Sequence, residues 1–190
     1  MNPVEFRRHL HAHPELSFRE HGTAAFIEQQ LTELGIEHRR IASTGVLARI
    51  EGRKTPAGDR RAVVLRADTD ALPIAEEADV DFACQNGHMH ACGHDVHMAI
   101  LLETVLRLLQ RRDDLFGSVR ILFQPSEELS PTGGARLMMK DGFLDGVSGV
   151  FGLHVWPSYP VGRIGIKGGP LMAASARFRV RSSHEGTTFD

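Results

Sequence analysis

The run DVHMAILLETVLRLLQRR, residues 95–112, lies between two short apolar runs, RAVVLRAD and GSVRILFQP, and this arrangement limits the fold more than any other feature. Its apolar residues line one helical face. Asp95 suits the positive end of a helix dipole, and Arg111 and Arg112 suit the negative end. The flanking runs are short and rich in Val, Leu and Ile, as buried strands are. A helix separating two such strands implies an α/β sheet with helices on its faces. The remainder fits that class. PVEFRRHLHAHPELSFREHGTAAFIEQQLTELG predicts two amphipathic helices interrupted near Pro14, with Phe26, Ile27, Leu31 and Leu34 at helical spacing and Gly35 as the stop. GVLARIEG reads as a strand, followed by the turn-like RKTPAGDR. A short helix is expected around GGARLMMKDG, and further strands in GVSGVFGLHVWP, GRIGIKGG and ASARFRVRSS.

A chain of 190 residues can bury one substantial core. The formal net charge of -2 gives no global reason to expect nucleic acid or an anionic membrane as partner. No apolar run approaches the roughly 20 residues of a membrane span, and MNPVEFRRHLHAHPE lacks the apolar core of a signal peptide. A cytoplasmic location is the resulting expectation. Cys84 and Cys92 do not make a secreted disulfide framework, which leaves the Cys92 thiol free to act as a ligand. The glycine-rich GRIGIKGGP matches neither a P-loop nor a dinucleotide fingerprint.

GHMHACGHDVHMA, residues 87–99, gathers four histidines, a cysteine and an aspartate. Cys92 and His94 form a Cys-x-His pair. Thiolate and imidazole are both good ligands for zinc and related metals, and Gly93 lets the backbone turn tightly between them. The plain alternative is a buried thiol beside a helix-capping histidine. His88, His90 and His97 are surplus to a site of at most four protein ligands and read as supporting or structural. In FQPSEE, Glu127 and Glu128 stand side by side beyond an apolar strand. Neighbouring extended residues point apart, so one carboxylate can hold a metal while the other faces substrate as a general base; a solvated acidic turn is the alternative. Asp68, at the end of VVLRAD, can orient a histidine ligand through its second ring nitrogen, or simply cap a turn. His154, after VFGL, reads by itself more often as a satisfied core histidine than as a ligand. Sheets of this class place their chemistry in loops beyond the strand ends, which is where these groups fall.

RRHLHAHPELSFRE, LRADTDALPI, GHMHACGHDVHMAILL, ILFQPSEE, GLHVWP and GPLMAAS, in this order, resemble the M20 family of metallopeptidases. More narrowly they resemble its amidohydrolase branch, the hippurate, N-acyl-amino-acid and auxin-conjugate hydrolases. The resemblance spans about residues 3 to 180. It implies a three-layer α/β/α zinc-peptidase-like catalytic domain over residues 1–172, with residues 173–190 opening a smaller lid domain that mediates dimerisation. It implies a centre of two divalent metal ions, zinc or manganese with cobalt or nickel as alternatives. The ligands map to Cys92, His94, Glu128 and His154, with Cys92 bridging, Glu127 as general base and Asp68 supporting the centre. The implied reaction is hydrolysis of an N-acyl amino acid. A dipeptidase of the same family and a non-catalytic metal-binding or interaction module are the alternatives. Family members run to about twice this length, and their last metal ligand, a histidine near the C-terminus, has no counterpart here. The chain therefore reads as a fragment, a truncated product or one part of a split protein.

Overall fold

The computed structural model describes residues 1–166 apart from Arg60, Ser130 and Pro131. The chain opens with α1 (Pro3–Ala12), fixed at its start by a capping box. Asn2 Oδ1 accepts from the amides of Val4 and Glu5 at 3.0 and 2.9 Å, while Glu5 reaches back to the Asn2 amide at 3.2 Å. Helix α2 (His21–Glu33) is capped from outside: Glu15 accepts from the amides of Gly22 and Thr23 at 3.1 and 2.7 Å. Strands β1 (Glu37–Ile41) and β2 (Gly45–Glu51) form a hairpin, and β3 (Ala62–Asp68) follows. A long irregular segment leads into α3 (His94–Gln110), then β4 (Ser118–Gln124), α4 (Gly134–Met139) and β5 (Val147–Gly152).

The five strands form one sheet in the order β1-β2-β4-β3-β5. β2 is antiparallel to β1 and β4, whereas β3 is parallel to both β4 and β5. A parallel pair needs a long return connection, which α3 and its preceding segment supply between β3 and β4. Alternation along the strands sends side chains to two cores. Ile121 and Phe123 of β4 join Ala67 of β3, Phe6, Leu10, Ile27, Leu31, Met98 and Val105 beneath α1, α2 and α3. Leu122 and Val64 point the other way, to Ile41, Met138 and Phe143 beside α4. Helices on both faces make the three layers expected from the sequence.

Strand β1 was not predicted: EHRRI carries one buried residue, Ile41, so its apolar alternation is too weak to read, and pairing with β2 creates it. Strand β5 ends at Gly152, so His154 follows the strand by two residues instead of closing it. Residues Met1–Val155 form one compact unit and the chain from Trp156 onward a second. In that second unit the described part of GRIGIKGG forms no strand; Ile164 and Ile166 are almost fully exposed, and among the described residues no strand pairs with them. The remainder of that run, ASARFRVRSS and the expected boundary at residues 172/173 lie outside the described residues.

The segment between β3 and α3 is held against α1. Leu72 and Met89 pair as an isolated bridge, and the buried His11 ring binds Glu76 at 2.7 Å and Asp95 at 2.8 Å. Arg7 joins Asp95 at 2.6 Å. Asp95 was expected to act only on the helix dipole; it also ties α3 to α1 through these buried partners. No described helix is long and apolar enough to cross a membrane.

Candidate metal centre

Because β3, β4 and β5 run parallel, their C-terminal ends share one edge of the sheet. Asp68 is the last residue of β3, Glu127 and Glu128 follow β4 closely, and His154 follows β5. The N-terminus of α3 lies at the same edge and brings Cys92 and His94. Gly93 between them has φ +84°, a left-handed conformation that glycine adopts without strain.

His94 lies at the centre. Among the described residues, three groups of potential ligand atoms fall within 4.8 Å of one another: Cys92, His94 and His154; Asp68, His94 and His97; and His94, Glu127 and Glu128. His94 is fully buried, and its Nδ1–H donates to the Asp70 carbonyl at 2.8 Å, which turns Nε2 toward the acidic groups. That Nε2 lies 3.6 Å from Asp68, 3.7 Å from Glu128 and 3.9 Å from Glu127. Cys92 Sγ stands 3.3 Å from His154 Nε2. The four residues expected as ligands are thus brought together with the expected base. The alternatives of a solvated acidic turn and a buried core histidine do not describe them: Glu128 is drawn inward, and His154 is exposed.

Two buried polar atoms here, His94 Nε2 and Glu128 Oε1, have no hydrogen-bond partner. Buried polar atoms are rarely left so, and a cation satisfies both. The charges agree. Burial, and then the neighbouring Glu127, pushes the Glu128 carboxyl up, and burial pushes the Cys92 thiol up. Burial opposes charge on His94, yet its bond to Asp70, the nearby Cys92 sulfur and the field of Asp68 carry its pKa up to about 11. A thiol, two imidazoles and a carboxylate crowded where positive charge is favoured fit a metal with a preference for sulfur and nitrogen.

The supporting groups differ from the sequence reading in one respect. Asp68 does hold a histidine by its second ring nitrogen, but that histidine is His97, at 2.6 Å. The Nδ1 of His94 is instead held by Asp70, whose wider role leaves no mark in the sequence. Asp70 Oδ1 accepts from the Glu127 amide and Oδ2 from the Glu128 amide, each at 3.0 Å, and Ser17 donates to Oδ2 at 2.6 Å. Burial alone would raise the Asp70 carboxyl; the bonds from His94, Ser17 and Glu128 hold it below its ordinary range. Ser126, fully buried at φ +55°, precedes the two glutamates. Its amide donates to the buried Glu20 at 2.8 Å, and its hydroxyl accepts from the Phe18 amide at 2.7 Å. Of the surplus histidines, His88 is bonded among the described residues only through its amide, which donates to Asn86 Oδ1 at 2.8 Å. His90 is buried with neither ring nitrogen hydrogen-bonded, and burial lowers its pKa to about 4.

Known proteins are similar to this chain over most of its length. An N-acyl-L-amino acid amidohydrolase of Geobacillus stearothermophilus is 49% identical over 185 residues, covering 96% of this chain and 49% of the relative. An N-acetylcysteine deacetylase of Bacillus subtilis is 47% identical, covering 93% and 46%. Thermostable carboxypeptidase 2 of Saccharolobus solfataricus is 41% identical, covering 93% and 45%. The chain therefore spans about half the length of these relatives. Among solved structures, a Bacillus subtilis protein described as a dinuclear metal binding peptidase superposes with a TM-score of 0.82 at 46% identity, covering 89% of this chain and 47% of that one. The family model for peptidase family M20/M25/M40 matches residues 64–189, the stretch that carries every candidate ligand, and the chain belongs to that family.

Proposed function

We propose that this chain carries the metal-binding half of an amidohydrolase that cleaves N-acyl amino acids, with Cys92, His94, Glu128 and His154 holding a pair of divalent ions and Glu127 as general base. One observation supports this above the others: adjacent carboxylates are made unequal. Glu128 is 24% exposed with an unpartnered buried oxygen beside His94, whereas Glu127 is 41% exposed and opens toward solvent. A closed structural metal site has no use for the second carboxylate. The thiolate favours zinc over manganese.

When bound, the ions supply Lewis acidity and lower the pKa of water. Glu127 is placed to take the proton from the attacking water and pass it to the departing nitrogen, so that the amide C–N bond breaks, a C–O bond forms, and a carboxylic acid and an amino acid leave. Asp70 holds the amides of both glutamates, so base and ligand keep a fixed spacing. The names of the Geobacillus and Bacillus relatives favour N-acyl and N-acetyl amino acids as substrates. A peptidase acting at a C-terminal residue is the second reading, favoured by the carboxypeptidase relative.

The test is a panel of N-acetyl amino acids, N-benzoyl amino acids and dipeptides offered to the zinc-loaded chain, alone and mixed with the separately expressed second half of the Geobacillus relative. Glu127→Gln is expected to keep its zinc and lose turnover by about 10²–10⁴-fold. Undiminished turnover in that variant rejects the assignment of the base; failure of the chain to bind zinc rejects the centre.

A further inference from the structure

Both ring nitrogens of His97 are committed to protein partners. Nδ1–H donates to Asp68 Oδ1 at 2.6 Å, and Nε2 accepts the Val155 amide at 3.0 Å. The Val155 amide can only donate, so Nε2 is the acceptor and Nδ1 carries the proton offered to Asp68, which also accepts from Arg66 at 2.7 Å. The tautomer is therefore set, and the ring is 1% exposed. Although His97 lies among the potential ligands, an ion bound at its Nε2 would have to break the bond to Val155.

That bond controls a specific object. The carbonyl of Val155 accepts from His154 Nδ1 at 2.6 Å, and the opposite nitrogen of His154 faces Cys92 at 3.3 Å. Val155 is thus held at its amide by His97 and holds, at its carbonyl, the imidazole expected to bind metal. Its side chain also covers Gly93: a Cβ built on that glycine would lie 2.5 Å from Val155 Cγ2. The rings of His97 and His154 meet edge-on, with centroids 4.6 Å apart. His154 needs such support, because it is exposed and follows β5 by two residues, outside regular structure.

We propose that His97 is a positioning residue and not a ligand: anchored by Asp68, it holds the Val155 amide so that His154 presents Nε2 to the Cys92 side of the centre. This inference rests on the metal-centre reading above. Groups that orient a ligand typically change metal affinity by about 10–100-fold when removed.

The test measures Zn²⁺ affinity of the 190-residue chain by competition with a chromophoric chelator, together with the thiolate-to-metal absorption band of the Co²⁺ form. His97→Phe removes both bonds and is expected to weaken Zn²⁺ binding by about 10–100-fold at unchanged stoichiometry, with an altered Co²⁺ band. His97→Gln, whose amide can donate to Asp68 and accept from Val155, is expected to recover most of the loss. In a His154→Ala background, His97→Phe should cause little further loss, because its effect passes through His154. An equal loss in both backgrounds overturns the positioning role alone. Unchanged affinity in His154→Ala itself removes the metal-centre reading and this inference with it. Ring-nitrogen NMR of the unsubstituted protein covers the case in which His97→Phe does not fold. Zn²⁺ should shift the coordinating nitrogens of His94 and His154 and leave His97 Nε2 unmetallated; a coordination shift at His97 Nε2 overturns the proposal.

Discussion

His94 concentrates the electrostatics of the centre. Its pKa of about 11 means that the ring is doubly protonated at neutral pH without metal, and burial keeps the Cys92 sulfur a thiol under the same conditions. Coordination requires a bare Nε2 and a thiolate, so zinc binding at pH 7 is expected to release protons, and affinity to rise with pH. Calorimetry in buffers of different ionisation enthalpy checks this: the apparent binding heat should vary with the buffer, and an invariant heat contradicts it. Cys92 and His94 were legible in the sequence because two ligands separated by one glycine form a local pattern. Asp70 was not. It works through its backbone carbonyl and through bonds from residues 17, 127 and 128, and no short window of sequence contains that hub.

The start of α3 shows how an element is fitted to the site. Gly93 combines a left-handed φ with direct contact from Val155, so Gly93→Ala meets both a backbone penalty and a clash. The backbone penalty alone is about 1–2 kcal/mol, equivalent to a fall of about 2–8 °C in the melting temperature of a chain this size. The clash should also displace Val155 and weaken zinc binding. Thermal unfolding and chelator competition on Gly93→Ala measure the two effects separately, and unchanged values in both would refute the account. Elements with strong periodicity, such as α3 and β4, were readable. Strand β1 was not, since four of its five residues are polar and only the hairpin with β2 makes them a strand. The left-handed Ser126 was equally hidden, because the buried Glu20 that accepts its amide lies 106 residues away.

Across the whole molecule, the parallel β4-β3-β5 core decides where the chemistry collects, and the α/β class that implies it was legible from helix and strand periods. The same core links the site to acid stability. The Asp68 carboxyl titrates well below its ordinary value of 3.8 in the folded protein, so its contribution is complete above that pH and is lost progressively as pH falls below it toward the lower folded value. Chemical denaturation at pH 5, 4 and 3 is expected to show this loss, with a shallower dependence in Asp68→Asn; identical slopes would contradict the assignment. The parallel strands carry a last consequence. Parallel neighbours are joined by long connections, so the groups at their ends meet only after α3 and α4 have both docked. Metal capture is then a late event in folding, a seal on a finished sheet. Zinc is expected to slow unfolding while leaving the refolding rate nearly unchanged, as stopped-flow traces with and without the ion would show.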